Sequence, residues 1–238
     1  NAAITADITA GRLAAGDAIA TTSYYQGNQF GGALYQVVAA ATGTDDGGRF
    51  INAGTRQLRA VFDRAVKATQ YGAKCDGSTN DAAAISAAVA SGLPVDLDGR
   101  SYQVGALITL TAANAGISNG TMVATGAGIS CLRPGADNCV IDRVAFSGFS
   151  NAIDLRFATV AVNGLQVTSC VFTGSTSADI NTFGNTFNHD VTIRDCRFTS
   201  NGTPGFSVLL QLARVRIESN WFSGYKSGAV AVSIFLGQ

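Results

Sequence analysis

Charge is scarce in this chain of 238 residues, of which 13% are Asp, Glu, Lys or Arg, about half the roughly 25% of an ordinary soluble domain. The 16 basic and 16 acidic residues cancel, so no net field draws the chain to nucleic acid or an anionic membrane. No stretch approaches the ~18 consecutive apolar residues of a membrane span, and no signal-peptide pattern is present; neither a span nor a secretory leader is expected. His189 is the only histidine and Glu218 the only glutamate. With no Gly-x-Ser-x-Gly elbow and no Gly-rich phosphate loop before a helix, nucleophilic hydrolase machinery is not expected. The five cysteines are odd in number, and they show neither zinc spacing nor a CxxC pair. No metal and no cofactor is expected.

What the chain does have is a repeat. Val140–Phe146, Leu165–Phe172, Val191–Phe198 and Val215–Phe222 each end on phenylalanine, at near-equal intervals along the chain. Ile117–Met122 is an earlier copy, with Met122 in the phenylalanine slot one interval upstream of Phe146. A period of this length filled with short alternating strands marks a stacked solenoid. The seventh residue back from each phenylalanine (Cys139, Leu165, Val191, Val215) and the fifth (Ile141, Val167, Ile193, Ile217) are apolar, the pattern of a strand with one buried face. The second residue back (Val144, Cys170, Cys196, Asn220) is also an inward candidate, so the alternation loses parity and a tight bend is predicted in between. Asn220 is expected to bond backbone groups at that bend. A third apolar stretch follows in each copy: Ile153 and Leu155, Ala178 and Ile180, Val208 and Leu210, then Val230, Val232 and Ile234. Three short strands per turn of about 25 residues make an all-β, parallel β-helix solenoid.

Cys170 and Cys196 fall at equivalent positions on adjacent rungs, where strands lie about 4.8 Å apart, close enough for a disulfide by distance. Small buried thiols stacked as core filler are the favoured reading.

The stretch Tyr71-Gly72-Ala73-Lys74-Cys75-Asp76-Gly77-Ser78-Thr79-Asn80-Asp81-Ala82-Ala83-Ala84-Ile85 resembles the motif that opens the pectate-lyase-like right-handed β-helix superfamily, as found in bacteriophage tailspikes. It departs from the usual text at Tyr71, Cys75 and Asn80. Gly72 and Gly77 permit a turn, Thr79 or Asn80 is placed to cap a helix, and an apolar capping helix near 80–90 plugs the open end of the solenoid. Ser91-Gly92 stops that helix and Leu93–Leu97 begins the first strand. The resemblance covers roughly residues 66–235 of a β-helix domain expected over 66–238, and it implies a right-handed coil and a homotrimer; the superfamily holds lyases, hydrolases and inert binding proteins alike. Residues 23–65, with their glycines and aromatics, are similar to the small β-rich segment that joins phage spikes to the particle. Residues 1–22, rich in Ala, Thr and Asp, read as an extended N-terminal arm ordered by contact with something else. The last strand, Val230 to Leu236, carries no closing cap, which implies that a partner or further sequence covers that end.

Two sets of residues are candidates for chemistry. Asp154 and Asp179 flank inward apolar residues on the third strand, so both are expected to point outward, one repeat and therefore one rung apart. The ~5 Å separation this implies suits a retaining glycosidase pair, with Arg156, Asn181, His189 and Asp190 nearby. A sugar-contacting surface and plain solvated charges are the competing readings. The second set is Arg194 and Glu218, which share the fourth position back from phenylalanine, with Asp195 beside them and Arg197 and Trp221 in the outward position just before the phenylalanine. Packing of Trp221 against a neighbouring subunit is the favoured reading; an exposed Trp beside Arg and a carboxylate is also a sugar-stacking arrangement, which is the alternative. Together with the resemblance, this implies a virion spike or fibre of a phage or phage-derived particle, assembled in the host cytoplasm and contacting other virion proteins through its N-terminal segment. It would attach to host-surface polysaccharide or anchor a larger spike assembly. The alternative is a capsule or O-antigen depolymerase, a glycosidase or lyase, which the single glutamate and short inter-rung loops make harder to support.

Overall fold

The structure, a computed structural model, describes residues 2–27, 29–183, 189–200, 206–211, 213–225 and 230–235. It begins with helix α1 (Ala2–Thr9), followed by strands β1 (Ala18–Ala20), β2 (Leu34–Ala39), β3 (Phe50–Ala53) and β4 (Arg56–Val61). These strands pair antiparallel in the order β1-β2-β4-β3. Tyr35 and Val37 of β2 and Leu58 and Ala60 of β4 form a small core with Ile8 of α1, and Ile4 packs against it. The extended arm expected over 1–22 is therefore corrected. Alanine favours helix, Ile4 and Ile8 lie one turn apart on a single face, and β1 is held by the edge of β2.

The chain enters the solenoid through β5 (Val66–Lys67), a 3-10 turn (Ala68–Tyr71) and helix α2 (Ala82–Ala90). Gly72 has φ 92° and Gly77 φ 75°, the left-handed region in which glycine carries no Cβ penalty. The helix cap differs in detail from expectation. Asp81 occupies the cap position without a side-chain cap bond; its carboxylate instead accepts from the Lys74 and Cys75 amides at 2.7 and 3.3 Å, closing the preceding loop. Asn80 Oδ1 accepts from the Ala82 amide at 3.1 Å and the Gly105 amide at 2.8 Å, tying the helix to the first rung. Ala82, Ile85, Ala88 and Val89 are buried at the open end of the coil.

The rungs follow as β6 (Val95–Asp96), β7 (Ser101–Val104), β8 (Ile108–Leu110), β9 (Gly116–Ala124), β10 (Ser130–Pro134), β11 (Val140–Ser147), β12 (Asn151–Asp154), β13 (Leu165–Thr168), β14 (Val171–Thr173), β15 (Ala178–Asn181), β16 (His189–Arg194), β17 (Arg197–Thr199), β18 (Phe206–Gln211), β19 (Ala213–Glu218), β20 (Trp221–Ser223) and β21 (Val230–Phe235). Every pairing among β5 to β21 is parallel. The repeat is the register: Ile117, Ile141, Val167, Ile193 and Ile217 align, as do Met122, Phe146, Phe172, Phe198 and Phe222. Successive phenylalanine rings stack at 5.1, 4.7 and 4.8 Å, tilted by only 8°, 4° and 7°. Parallel strands about 4.7–4.9 Å apart dictate that spacing, so one aromatic per rung becomes a continuous internal column.

The parity break has a backbone cause. Asn119, Arg143, Ser169, Asp195 and Ser219, each three residues before the aromatic column, have φ of 61°, 52°, 53°, 55° and 53°. A single left-handed residue turns the chain there, and the next side chain re-enters the core. On the last rung that side chain is Asn220, whose Nδ2 donates to the Ile193 carbonyl at 2.9 Å and whose Oδ1 accepts from the Cys196 amide at 2.8 Å. The corresponding Gly120 of the first copy leaves room for Leu97, whose Cβ would lie 2.4 Å from an added Cβ. All five cysteines are free, and Cys170 and Cys196 sit buried as core filler with thiols on backbone carbonyls. Among the described residues no helix is long and apolar enough to cross a membrane.

Candidate functional site

Two strand columns, one on each side of the bend, build the outer surface of the lower rungs. Val171, Arg197 and Trp221 align on β14, β17 and β20, all facing out. Trp221 is 64% exposed. Across the bend, Asp142, Thr168, Arg194 and Glu218 align on β11, β13, β16 and β19. Thr168 Oγ1 donates to Asp142 Oδ1 at 2.7 Å. Arg194 pairs with Asp195 at the bend at 3.2 Å, and Glu218 pairs with Arg216 on its own strand. Of the residues expected to form a patch, Arg197 and Trp221 share one column, Arg194 and Glu218 the other, and Asp195 lies at the bend between them; Glu218 is half-buried and the other four are exposed.

Asn181 is not part of it. It lies on β15 in the other sheet, is buried, and uses Nδ2 on Asn151 Oδ1 at 2.9 Å and Oδ1 on the Phe183 amide at 2.9 Å.

The acidic pair differs from expectation in both register and direction. Asp154 aligns with Asn181, not with Asp179, so the two carboxylates sit diagonally and not face to face. Neither is exposed. Asp154 is clamped by Arg156, with Nε on Oδ1 at 2.9 Å and NH2 on Oδ2 at 2.8 Å, and by Ser130 Oγ at 2.8 Å. Burial pushes its carboxyl up, but the bonds from Arg156 and Ser130 outweigh burial and hold it below the usual range. Asp179 aligns with the core residue Ala152 one rung above, beside the core residue Ile180. The third strand does not alternate there, since Ala152 and Ile153 both belong to the core. Burial raises the Asp179 carboxyl to about 6 against the pull of Ser175 and Ser207, and its Oδ1 has no hydrogen-bond partner. Nearby Tyr225, whose hydroxyl is also without a partner, is pushed up by burial and by the Asp179 charge. His189 belongs to β16, but its side chain lies outside the described residues, and Asp190 pairs with Arg214 at 3.4 Å.

A further cluster is not legible in the repeat because it sits in the turn after β12. Phe157 is 66% exposed, with the guanidinium carbons of Arg133 and Arg156 at 5.7 and 5.3 Å from its ring centre. In the N-terminal sheet region a cavity of about 400 Å³ is lined by Tyr24, Tyr25, Tyr35, Asp45, Asn52 and Leu58 among others. Among the described residues no group of three or more His, Cys, Asp or Glu is placed to hold a metal ion.

A scan of family models and a search of curated proteins both return no match. Solved structures do match. The enzymatically active domain of tailspike protein 2 from bacteriophage CBA120 superposes with a TM-score of 0.55 at 15% identity, over 98% of this chain and 44% of that one. Tailspike protein 4 of the same phage gives 0.45 at 14% identity over 94% and 44%. Pantoea stewartii WceF, described as a glycan biofilm modifying enzyme with a tailspike-like parallel β-helix fold, gives 0.42 at 13% over 91% and 46%. Rungs, ring column and capping helix define the class: a parallel β-helix solenoid of about five turns. More particularly, the chain has the fold of a phage tailspike domain and spans less than half the length of that protein.

Proposed function

We propose that this chain is part of a virion spike or fibre of a phage or phage-derived particle, which attaches to host-surface polysaccharide through the outer face of its solenoid. The observation that carries this reading is Trp221, exposed and in register with Arg197 on the surface that also bears Arg194, Asp195 and Glu218. An indole face accepts the apolar C–H face of a sugar while guanidinium and carboxylate groups bond its hydroxyls. The shared tailspike fold supports the setting. In that setting the N-terminal sheet and α1 contact other virion proteins, the spike is a homotrimer assembled in the host cytoplasm, and the polysaccharide lies along the rungs.

Binding is favoured over cleavage because Asp154 is committed to Arg156 and Asp179 is buried away from any substrate. Depolymerisation is the second reading, since the superposing domain of tailspike protein 2 is described as enzymatically active. The test is to incubate the protein with purified host capsule or lipopolysaccharide. Co-sedimentation measures binding, while reducing ends and ultraviolet absorbance of unsaturated products follow cleavage. Binding without new ends or absorbance supports the adhesin; release of either product makes the chain a depolymerase, and no binding removes both readings.

A further inference from the structure

We infer that the cluster of Arg133, Phe157 and Arg156 is a second glycan subsite, one that takes a carboxylate-bearing sugar such as a uronic acid unit. This deepens the glycan-binding reading and rests on it, but the cluster lies on a different sheet from Trp221. Phe157 is an exposed ring approached by two guanidiniums, an arrangement that leaves a large apolar face open to solvent without burying it in the protein.

The cations are placed before any ligand arrives. Arg156 is fixed by its two-pronged bond to the buried Asp154 carboxylate. Arg133 donates Nε to the Asp154 carbonyl at 3.3 Å, and its NH2 stands 4.0 Å from Asp154 Oδ2. That distance is too long for a hydrogen bond, which leaves the terminal nitrogens of Arg133 to bond a ligand. Among the described residues, the two guanidiniums share the single Asp154 carboxylate as their ion-pair partner, an excess of positive charge. The planar fork of an arginine matches a carboxylate with two parallel bonds, and the ring beside it offers the stacking face for a pyranose. A neutral sugar satisfies the ring and leaves the charge unanswered.

The test uses the whole chain in frontal affinity chromatography with glucuronic acid oligomers, their methyl esters and glucose oligomers. The acid is expected to be retained at least fivefold more strongly than the ester. Arg133→Gln, which leaves the Asp154–Arg156 pair intact, is expected to remove that preference, and Phe157→Ala to weaken retention of both acid and ester, with unfolding midpoints close to wild type. Equal retention of acid and ester, or an undiminished preference in Arg133→Gln, overturns the inference. If only glucose oligomers are retained, and Trp221→Ala abolishes that, the proposed function stands and this inference fails. If no oligomer is retained, the inference fails, and the proposed function is decided by the binding of host polysaccharide. If Phe157→Ala changes the assembly mass by light scattering while uronates are not retained, the cluster is a subunit contact and the inference is overturned.

Discussion

Replacing Asp179 with asparagine is expected to stabilise the protein at neutral pH. The carboxyl is buried beside Ile180 in the core, one of its oxygens has no partner, and its pKa is raised from 3.8 to about 6. A raised acid pKa means that the folded state binds the proton more tightly than the unfolded chain. Asp179 therefore costs nothing below pH ~4, where both states are protonated, and its cost grows as the pH rises from ~4 to ~6 and then levels off. A shift of roughly two units at about 1.36 kcal/mol each is about 3 kcal/mol at pH 7.5. Asparagine keeps the shape and an oxygen that accepts from Ser175 or Ser207, without the charge. For a chain of this length that corresponds to a rise of roughly 6–12 °C in Tm. Thermal unfolding of wild type and Asp179→Asn at pH 4 and pH 7.5 measures it. A gain confined to pH 7.5 is expected. The same gain at both pH values, or none at either, would refute the placement of this carboxyl in the core.

Other substitutions probe the stack itself. Phe172→Ala removes the ring between Phe146 and Phe198 and is expected to cost about 3–5 kcal/mol in denaturant unfolding, with the cavity left inside a continuous column. Asp154→Asn removes the charge that Arg156 and Ser130 bond; a loss of about 1–3 kcal/mol is expected at pH 7. Burial opposes the ionised form of Asp154, yet the Arg156 and Ser130 bonds prevail and hold the pKa low, so that stability is present at neutral pH and is lost as the pH falls through the carboxylate range. Asn220→Ala leaves the Cys196 amide and Ile193 carbonyl without their bridge, and a cost of about 1–3 kcal/mol is expected from equilibrium unfolding.

The coil is legible because each rung repeats one message. A phenylalanine once per rung sets the period, apolar pairs at fixed offsets give the buried face, and the parity break before Cys170 and Cys196 marks a bend that the structure places at Ser169 and Asp195. The same logic puts Arg197 beside Trp221, because outward columns inherit the register of inward ones. It fails on the third strand. There Ala152 and Ile153 both enter the core, so a second loss of parity turns Asp179 inward and Asn181 into a buried bond. The N-terminal arm escapes sequence reasoning for a different reason: Ala- and Thr-rich composition looks featureless, yet two isoleucines one turn apart suffice to seat a helix on the small sheet. Phe157 lies in a turn outside the repeat, where periodicity carries no information.

Trp221 is the only tryptophan in the chain, so indole fluorescence reports on the proposed glycan surface and nothing else. Titrating the protein with host polysaccharide is expected to give a saturable change in emission and protection from a soluble quencher, both weakened in Arg197→Gln. Polysaccharide that sediments with the protein while Trp221 emission and quenching stay as in the free state would contradict the assignment of binding to this face of the solenoid.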